Sequence, residues 1–491
     1  MGRTTPAVLG VTFLCSCAQL AGIEETSSGS PDRVTLTVER VSIGATVVRA
    51  PMDLSGLAAQ YLVPDDAEPD GLRRVDTELL QPDTWSAAIK SPAAPPVVFD
   101  LPTDPAVSRH QYDFDLRNLY TLFSRLEHPN PEPAPMGAML TVRSMLPTPY
   151  AATESFQLYT LGSWNIRGFS GAELPVVGDM VFGPQAFAFS SMSSITGRPL
   201  EKITTADAVM FLRYLGSRLT GVMEAAPFDQ TGTDTITGTL TNVPADQQLK
   251  VMLGPPAAVA ARFAPARPAV PNLSMSWTLR AAPGYEIGND NGPMLHQAPV
   301  VMADSGAVDV MYGNPFVSKG WPTVLTWSAS ASRSYTPAGQ ALPVGLNAGL
   351  AQIVQPMTDQ VLDLPAGLPE VISIDNRPLS SDGAMIPKPT LPVRVTFASS
   401  ITSNTLYQVT LYQLVPNAAG TALVPKHILG TTGLEPDFTL PPELFMPGTL
   451  YMLRATCLQG GHPDAADGDL RARGLPLSYG YLDSGVFSVM P

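Results

Sequence analysis

The sequence predicts a mainly β chain of antiparallel sandwiches in tandem, with one or two helices in the N-terminal region. Three observations carry this. Charged residues make up only 15% of the 491, against about 25% in an average globular chain, which disfavours long charged helices and coiled coils. The 50 prolines and 40 glycines suit short strands joined by tight turns. Apolar and polar residues alternate with period two in several windows, as in sheets dry on one face and wet on the other. At about 150 residues per domain, this length makes roughly three folded units. The 44% apolar content is enough to give each a core.

The chain opens with an apolar run at residues 7–14, Ala-Val-Leu-Gly-Val-Thr-Phe-Leu, behind Arg3 and ahead of small residues. That is the layout of an export signal. It is shorter than the ~20 apolar residues a spanning helix needs, and no later segment reaches that length. Leu14-Cys15-Ser16-Cys17 then resembles the lipobox of bacterial lipoproteins, in which an apolar residue and two small ones precede a cysteine that is diacylated and becomes the new N-terminus. The resemblance implies a signal peptide over 1–16, lipidation at Cys17 and, with Ala18 following, sorting to the outer membrane. An ordinary secretory peptide cut after Ser16 or Ala18 is the open alternative. The stretch Cys-Ala-Gln-Leu-Ala-Gly-Ile-Glu-Glu is similar to the start of surface lipoproteins of myxobacteria-like bacteria. Residues 17–32 are polar and poor in core formers, as a tether should be. Of the three cysteines, Cys15 would leave with the signal and Cys17 would carry lipid. Cys457 then has no disulfide partner and is expected to be a small buried hydrophobe.

Residues 33–229 form the first expected region, mostly β. Val34, Leu36 and Val38 alternate with polar residues, and the phase slips by one to Val41 and Ile43, the mark of a bulge or turn. Leu116, Leu119, Tyr120 and Phe123 fit helical spacing, and the same stretch also reads as a strand. Phe156–Leu161 is a short strand. A helix is expected near 204–220: Thr204 can cap it with Asp207 three residues on, Val209, Leu212, Leu215, Gly216 and Leu219 fall on one stripe, and Gly221 would end it.

Residues 230–365 form the second expected module, opening with the strand Thr235–Asn242. Within it Leu325, Trp327, Ala329 and Ala331 alternate with Thr326, Ser328 and Ser330. The boundaries come from proline clusters at 129–135, 264–271 and 364–369.

Residues 366–491 form the third. Val393, Val395 and Phe397 make one alternating run, and Tyr407, Val409 and Leu411 the next. The segment 380–392 carries three prolines and is long for an inter-strand loop. Phe445-Met446-Pro447-Gly448-Thr449-Leu450-Tyr451 is similar to the fibronectin type III signature around its tyrosine corner. The resemblance implies an immunoglobulin-like or fibronectin-like sandwich, closed by Gly485–Val489. It also implies that the Tyr451 hydroxyl reaches back to upstream backbone, with Pro447 and Gly448 shaping the turn. All five tryptophans lie before residue 330, so this module departs from the pattern of a tryptophan on an early strand.

Named catalytic patterns are missing. There is no Gly-Lys pair for a P-loop, no His-Glu-x-x-His helix and no Gly-x-Ser-x-Gly elbow. With 43 acidic against 29 basic residues the formal charge is −14, the wrong sign for tracking a phosphate backbone, so nucleic acid is not an expected partner. His462-Pro-Asp464-Ala-Ala-Asp467-Gly468-Asp469 gathers three carboxylates, but without the EF-hand spacing, and it reads as a solvated acidic turn rather than a metal site. No cofactor is expected. Asp65, Asp66, Glu68, Asp70, Glu286 and Asp290 belong to turn-rich segments. A paired-carboxylate hydrolase needs two such groups about 5 to 9.5 Å apart. Trp85, Trp164, Trp277, Trp321 and Trp327 read as core fillers rather than a sugar platform.

The expectation is therefore a lipid-anchored, non-enzymatic protein of the outer membrane. Its sandwich modules would serve binding or structural roles toward a protein or polysaccharide of the envelope. The alternative is a secreted glycan- or peptide-acting hydrolase with accessory sandwiches.

Overall fold

The computed structural model describes residues 33–43, 47–53, 55, 60–64, 67–69, 72–88, 97–104, 108–114, 118–125, 132–163, 165–194, 200–253, 256–263, 273–282, 292–299, 306–355, 360–362, 367–399, 406–472 and 474–491. Almost all their regular structure is strand. Arg33–Ile43 changes partner half-way: residues 33–37 lie antiparallel to Thr84–Ala88, residues 39–43 antiparallel to Val47–Pro51, and Asn118–Arg125 runs parallel along residues 35–42. The exchange coincides with the slip in periodicity. Val34, Leu36 and Val38 pack in one cluster with Trp85, whereas Val41 joins another. The segment that fits both helical and strand spacing is the strand Asn118–Arg125.

The helix expected near 204–220 is not there. Ala208–Leu215 and Arg218–Glu224 form an antiparallel hairpin turning at Gly216, whose φ is 59°. The apolar spacing misleads because the first of these strands is covered on both faces. Val209 and Phe211 enter a phenylalanine-rich core with Phe156, Phe169 and Phe182, while Met210, Leu212 and Tyr214 point the other way into a second core. Burial on both faces erases the period-two alternation. Thr204 and Asp207 do interact, but as a loop clamp: the Asp207 carboxylate accepts the N–H groups of Thr204 (2.7 Å) and Ser163. Among the described residues one α-helix occurs, Pro256–Phe263, outside the region where helices are expected.

The hairpin belongs to a sheet ordered Asn165–Phe169, Glu154–Leu161, Ala208–Leu215, Arg218–Glu224. Facing it, Met139–Met145 lies between antiparallel Val181–Ala188 and parallel Thr233–Thr239. The boundary expected at 229/230 therefore does not coincide with a division between sheets. Thr233–Thr239 overlaps the expected opening strand of the second module, yet it completes the sheet begun by Met139–Met145. Only Ile236 of this threonine-rich edge strand is buried, so little in its pattern tells which neighbour it joins.

The next unit repeats the same order without a visible sequence repeat. Gln247–Leu253 lies between antiparallel Gly306–Tyr312 and parallel Gln360–Leu362. The other sheet runs Met294–Pro299, Leu273–Ala281, Thr323–Tyr335, Val344–Val354. Leu325, Trp327, Ala329 and Ala331 are buried, as their alternation requires.

The C-terminal unit is a β-sandwich of the immunoglobulin-like class, with Arg377–Pro378 as the fourth, edge strand of its first sheet. Pro369–Ile374, Val393–Ser399 and Asp437–Leu440 form one sheet. Leu423–Gly433, Leu406–Pro416, Leu450–Gly460 and Leu477–Asp483 form the other, and Ala384–Ile386 runs parallel to Phe487–Val489. Phe397, Tyr407, Phe438, Phe445 and Phe487 fill its core. The sequence pattern does not single out Leu477–Asp483.

The units join through their sheet edges. Leu477–Asp483 also pairs antiparallel with Val344–Val354 over residues 348–353. One bridge, Arg218 to His296, and a hydrogen bond from the Tyr214 hydroxyl to the Met294 carbonyl (3.2 Å) link the two preceding units. Arg109–Asp113 runs parallel to Leu429–Gly433. Edges that would otherwise expose unpaired backbone groups are thus covered by a neighbouring unit.

Candidate functional site

A groove of about 370 Å³ opens on the C-terminal sandwich, between the turn at 374–377 and the segment 386–392. Asp375 and Asn376 both have positive φ, 46° and 65°, as a two-residue hairpin turn with the strand twist demands. The turn brings Arg377 back beside Ile374. It is clamped on the next strand: the Asp375 N–H donates to the Arg394 carbonyl (2.9 Å), and the Asp375 carboxylate accepts the Arg394 N–H (3.0 Å). Opposite, the Met490 N–H donates to the Ile386 carbonyl (2.8 Å). The proline-rich run follows, with no regular strand or helix of its own from 387 to 392.

Ile374 and Ile386 are buried and form the apolar floor; Pro387, Pro389 and Pro392 supply rigid walls, and Leu391 stands 60% exposed at the rim. The Arg377 and Lys388 side chains are both exposed and make no hydrogen bond or ion pair with other described residues. Neighbouring cations are occupied: Arg394 by Asp437, Arg333 by Asp382 and Arg454 by Asp483. The groove can therefore offer an apolar floor and two available positive charges, one from each side.

At the same sandwich, the Tyr451 ring is buried between Phe445 and Phe487, with centroids 5.7 and 5.8 Å away. Its hydroxyl donates to the Leu444 carbonyl and accepts the Met446 N–H, both at 2.8 Å. Pro447 and Gly448 occupy the centre of a turn closed by the Thr449 N–H on the Met446 carbonyl (3.3 Å), and Gly448 has φ 74°. That conformation requires a residue tolerant of positive φ, hence glycine.

A second polar cluster lies where the last two units meet. Asp483 is fully buried and accepts Nε of Arg454 (2.7 Å), Nη2 of Arg454 (3.1 Å) and the N–H of Asn347 (2.8 Å). The Arg454 guanidinium also lies over the rings of Tyr481 and Tyr412, at 4.6 and 5.7 Å. Gly349 makes room for this stack, since a Cβ there would overlap the Tyr481 ring. The cluster ties the units together; its acid and base neutralise each other.

The acidic loop is shaped by its own turn. The Asp469 carboxylate takes Nε and Nη2 of Arg471 (3.0 and 2.7 Å). Burial raises the Asp469 pKa, but the Arg471 side-chain and backbone hydrogen bonds outweigh it and hold the group below its ordinary value. Among the described residues no three metal-ligating side chains converge. Trp85, Trp277, Trp321 and Trp327 are buried and offer no stacking face. Cys457 is buried too, and burial pushes its thiol up to about 11, partly offset by a hydrogen bond to Ser399 (3.5 Å). Cys17, Trp164, Asp65, Asp66, Asp70, Glu286 and Asp290 lie outside the described residues.

The prolines of 380–392 stand out in the sequence but the groove does not, because Ile374 and the prolyl run meet only through the fold. Asp483 is equally hidden, since its partners Arg454 and Asn347 are 29 and 136 residues away.

No family model matches the chain, and no curated protein does. Among solved structures it is similar to the N-terminal four Ig domains of Dscam1 isoform 4.4, at 8% identity over 93% of this chain and 99% of that chain, with a TM-score of 0.13. At that TM-score the likeness carries no argument.

Proposed function

We propose that the chain is a lipid-anchored, non-enzymatic protein of the bacterial cell envelope. In this reading Cys17 carries the lipid, residues 17–32 hold the folded part off the outer membrane, and the β-sandwiches present their surfaces to a protein or polysaccharide of the envelope. The anchor rests on the sequence Leu14-Cys15-Ser16-Cys17, and the display role on the edge pairing of residues 348–353 with 477–482. With the buried Asp483 contacts, that pairing joins the last two units through one continuous sheet. A scaffold of this kind suits holding a binding surface at a fixed distance and orientation. Several acyl chains at one terminus would hold it, since each buried CH₂ contributes about 0.8 kcal/mol and one chain alone binds only marginally.

The test is metabolic labelling with a radioactive fatty acid in a lipoprotein-processing bacterial host. The wild-type chain is expected to be labelled and to fractionate with the outer membrane. The Cys17→Ala chain is expected to lose the label. Equal labelling of both chains, or none of the wild type, would overturn the anchor.

A further inference from the structure

We infer that the groove between 374–377 and 386–392 binds an extended acidic segment of a partner protein, with an apolar side chain of that segment over Ile374 and Ile386. Three features point to this ligand chemistry. The volume of about 370 Å³ lies within the about 300–1,000 Å³ typical of ligand clefts. Leu391 and Pro387 expose apolar surface beside the apolar floor, so the groove rewards burial of a side chain rather than of a bare inorganic anion. Arg377 and Lys388 are the available charges, one on the turn and one on the prolyl wall, in a chain whose formal charge is −14. They outnumber the single lining carboxylate, Asp375, which already accepts the Arg394 N–H.

Carboxylates flanking an apolar side chain match this arrangement: opposite charge at both sides and an aliphatic contact between them. Charge complementarity of this kind sets register and partner choice more than raw affinity. A sugar chain matches it less well, because no aromatic ring lines the groove and sugar sites rely on stacking faces. The prolines contribute stiffness, so the groove is held open before the ligand arrives and little ordering cost attends binding.

The inference concerns the ligand of a surface and stands apart from lipid attachment, so it is tested on the full chain carrying Cys17→Ala. The probe is a fluorescein-labelled peptide, Asp-Leu-Asp-Leu-Asp, followed by fluorescence anisotropy at low salt. The peptide is expected to bind and to weaken as salt rises. The Arg377→Gln/Lys388→Gln double variant is expected to bind about two- to thirty-fold more weakly, in line with two exposed ion pairs. Leu391→Asn is expected to bind about two- to three-fold more weakly. The Arg377 and Lys388 side chains are exposed and without partners among the described residues, so the double variant should melt with the parent. The neutral peptide Asn-Leu-Asn-Leu-Asn should bind little. No binding of the acidic peptide, equal binding by the double variant, or tighter binding of an oligogalacturonate than of the peptide would overturn the inference.

Discussion

Tyr451 shows what one residue contributes when its partners are close in sequence. Its hydroxyl closes on Leu444 and Met446, seven and five residues upstream, so the motif is legible in the local sequence alone. Tyr451→Phe keeps the ring between Phe445 and Phe487 but strands the Met446 N–H and the Leu444 carbonyl. Net loss of a hydrogen bond with partners left behind costs about 1–3 kcal/mol, so denaturant unfolding is expected to show a free energy lower by about that amount, read from a lower midpoint at unchanged slope. Asp483 is the opposite case. Nothing local marks it, since it acts on Asn347 and Arg454 from distant strands. Asp483→Asn leaves Arg454 with two tyrosine rings and no anion, and a loss of about 2–3 kcal/mol is expected in the same measurement.

Cys457 gives a pH signature. Its thiol is raised from 9.0 to about 11 by burial, so the folded state keeps a proton that the unfolded chain releases. Stability from this group is fully present below pH 9 and is lost as pH rises from about 9 to 11. The loss amounts to up to about 3 kcal/mol. The Cys457→Ala chain should show a shallower decline in denaturant midpoint over that window, and wild-type Cys457 should not react with a thiol reagent at pH 8 until the chain unfolds.

At the scale of elements, the segment 204–220 shows why apolar spacing alone suggests a helix where a strand forms. A strand covered by two cores carries apolar residues at successive positions, and some of them inevitably fall three or four apart. Period-two alternation identifies a strand where one face stays wet, as at Leu325–Ala331 with Ser328 and Ser330 between. Gly216→Ala distinguishes the two structures by sign. At φ 59° with open space where the Cβ would go, the substitution is expected to destabilise by about 1 kcal/mol. In a helix interior the same change would stabilise by about that amount. A melting curve on the purified variant reads the difference directly.

At the scale of the whole molecule, the mainly β class is legible from composition and alternation, because both follow from what a half-buried strand needs. The division into units is only partly legible. Proline clusters mark extended connections, but they do not say which sheet an edge strand joins, and Thr233–Thr239 joins the sheet before the expected cut. How units meet is not legible at all. It depends on edges finding one another across the chain, through Gly349, Tyr481 and Asp483, whose individual patterns resemble those of any strand.

The stiffness of that joint is the physical claim on which the display reading rests, and amide hydrogen exchange on the intact chain tests it most directly. Slow exchange is expected for peptides covering 346–354 and 477–483, rising together in Gly349→Val, where the added side chain displaces Tyr481. If 477–483 exchanges rapidly in the wild type while 450–460 stays protected, the two units are not joined through their edges, and the account is contradicted.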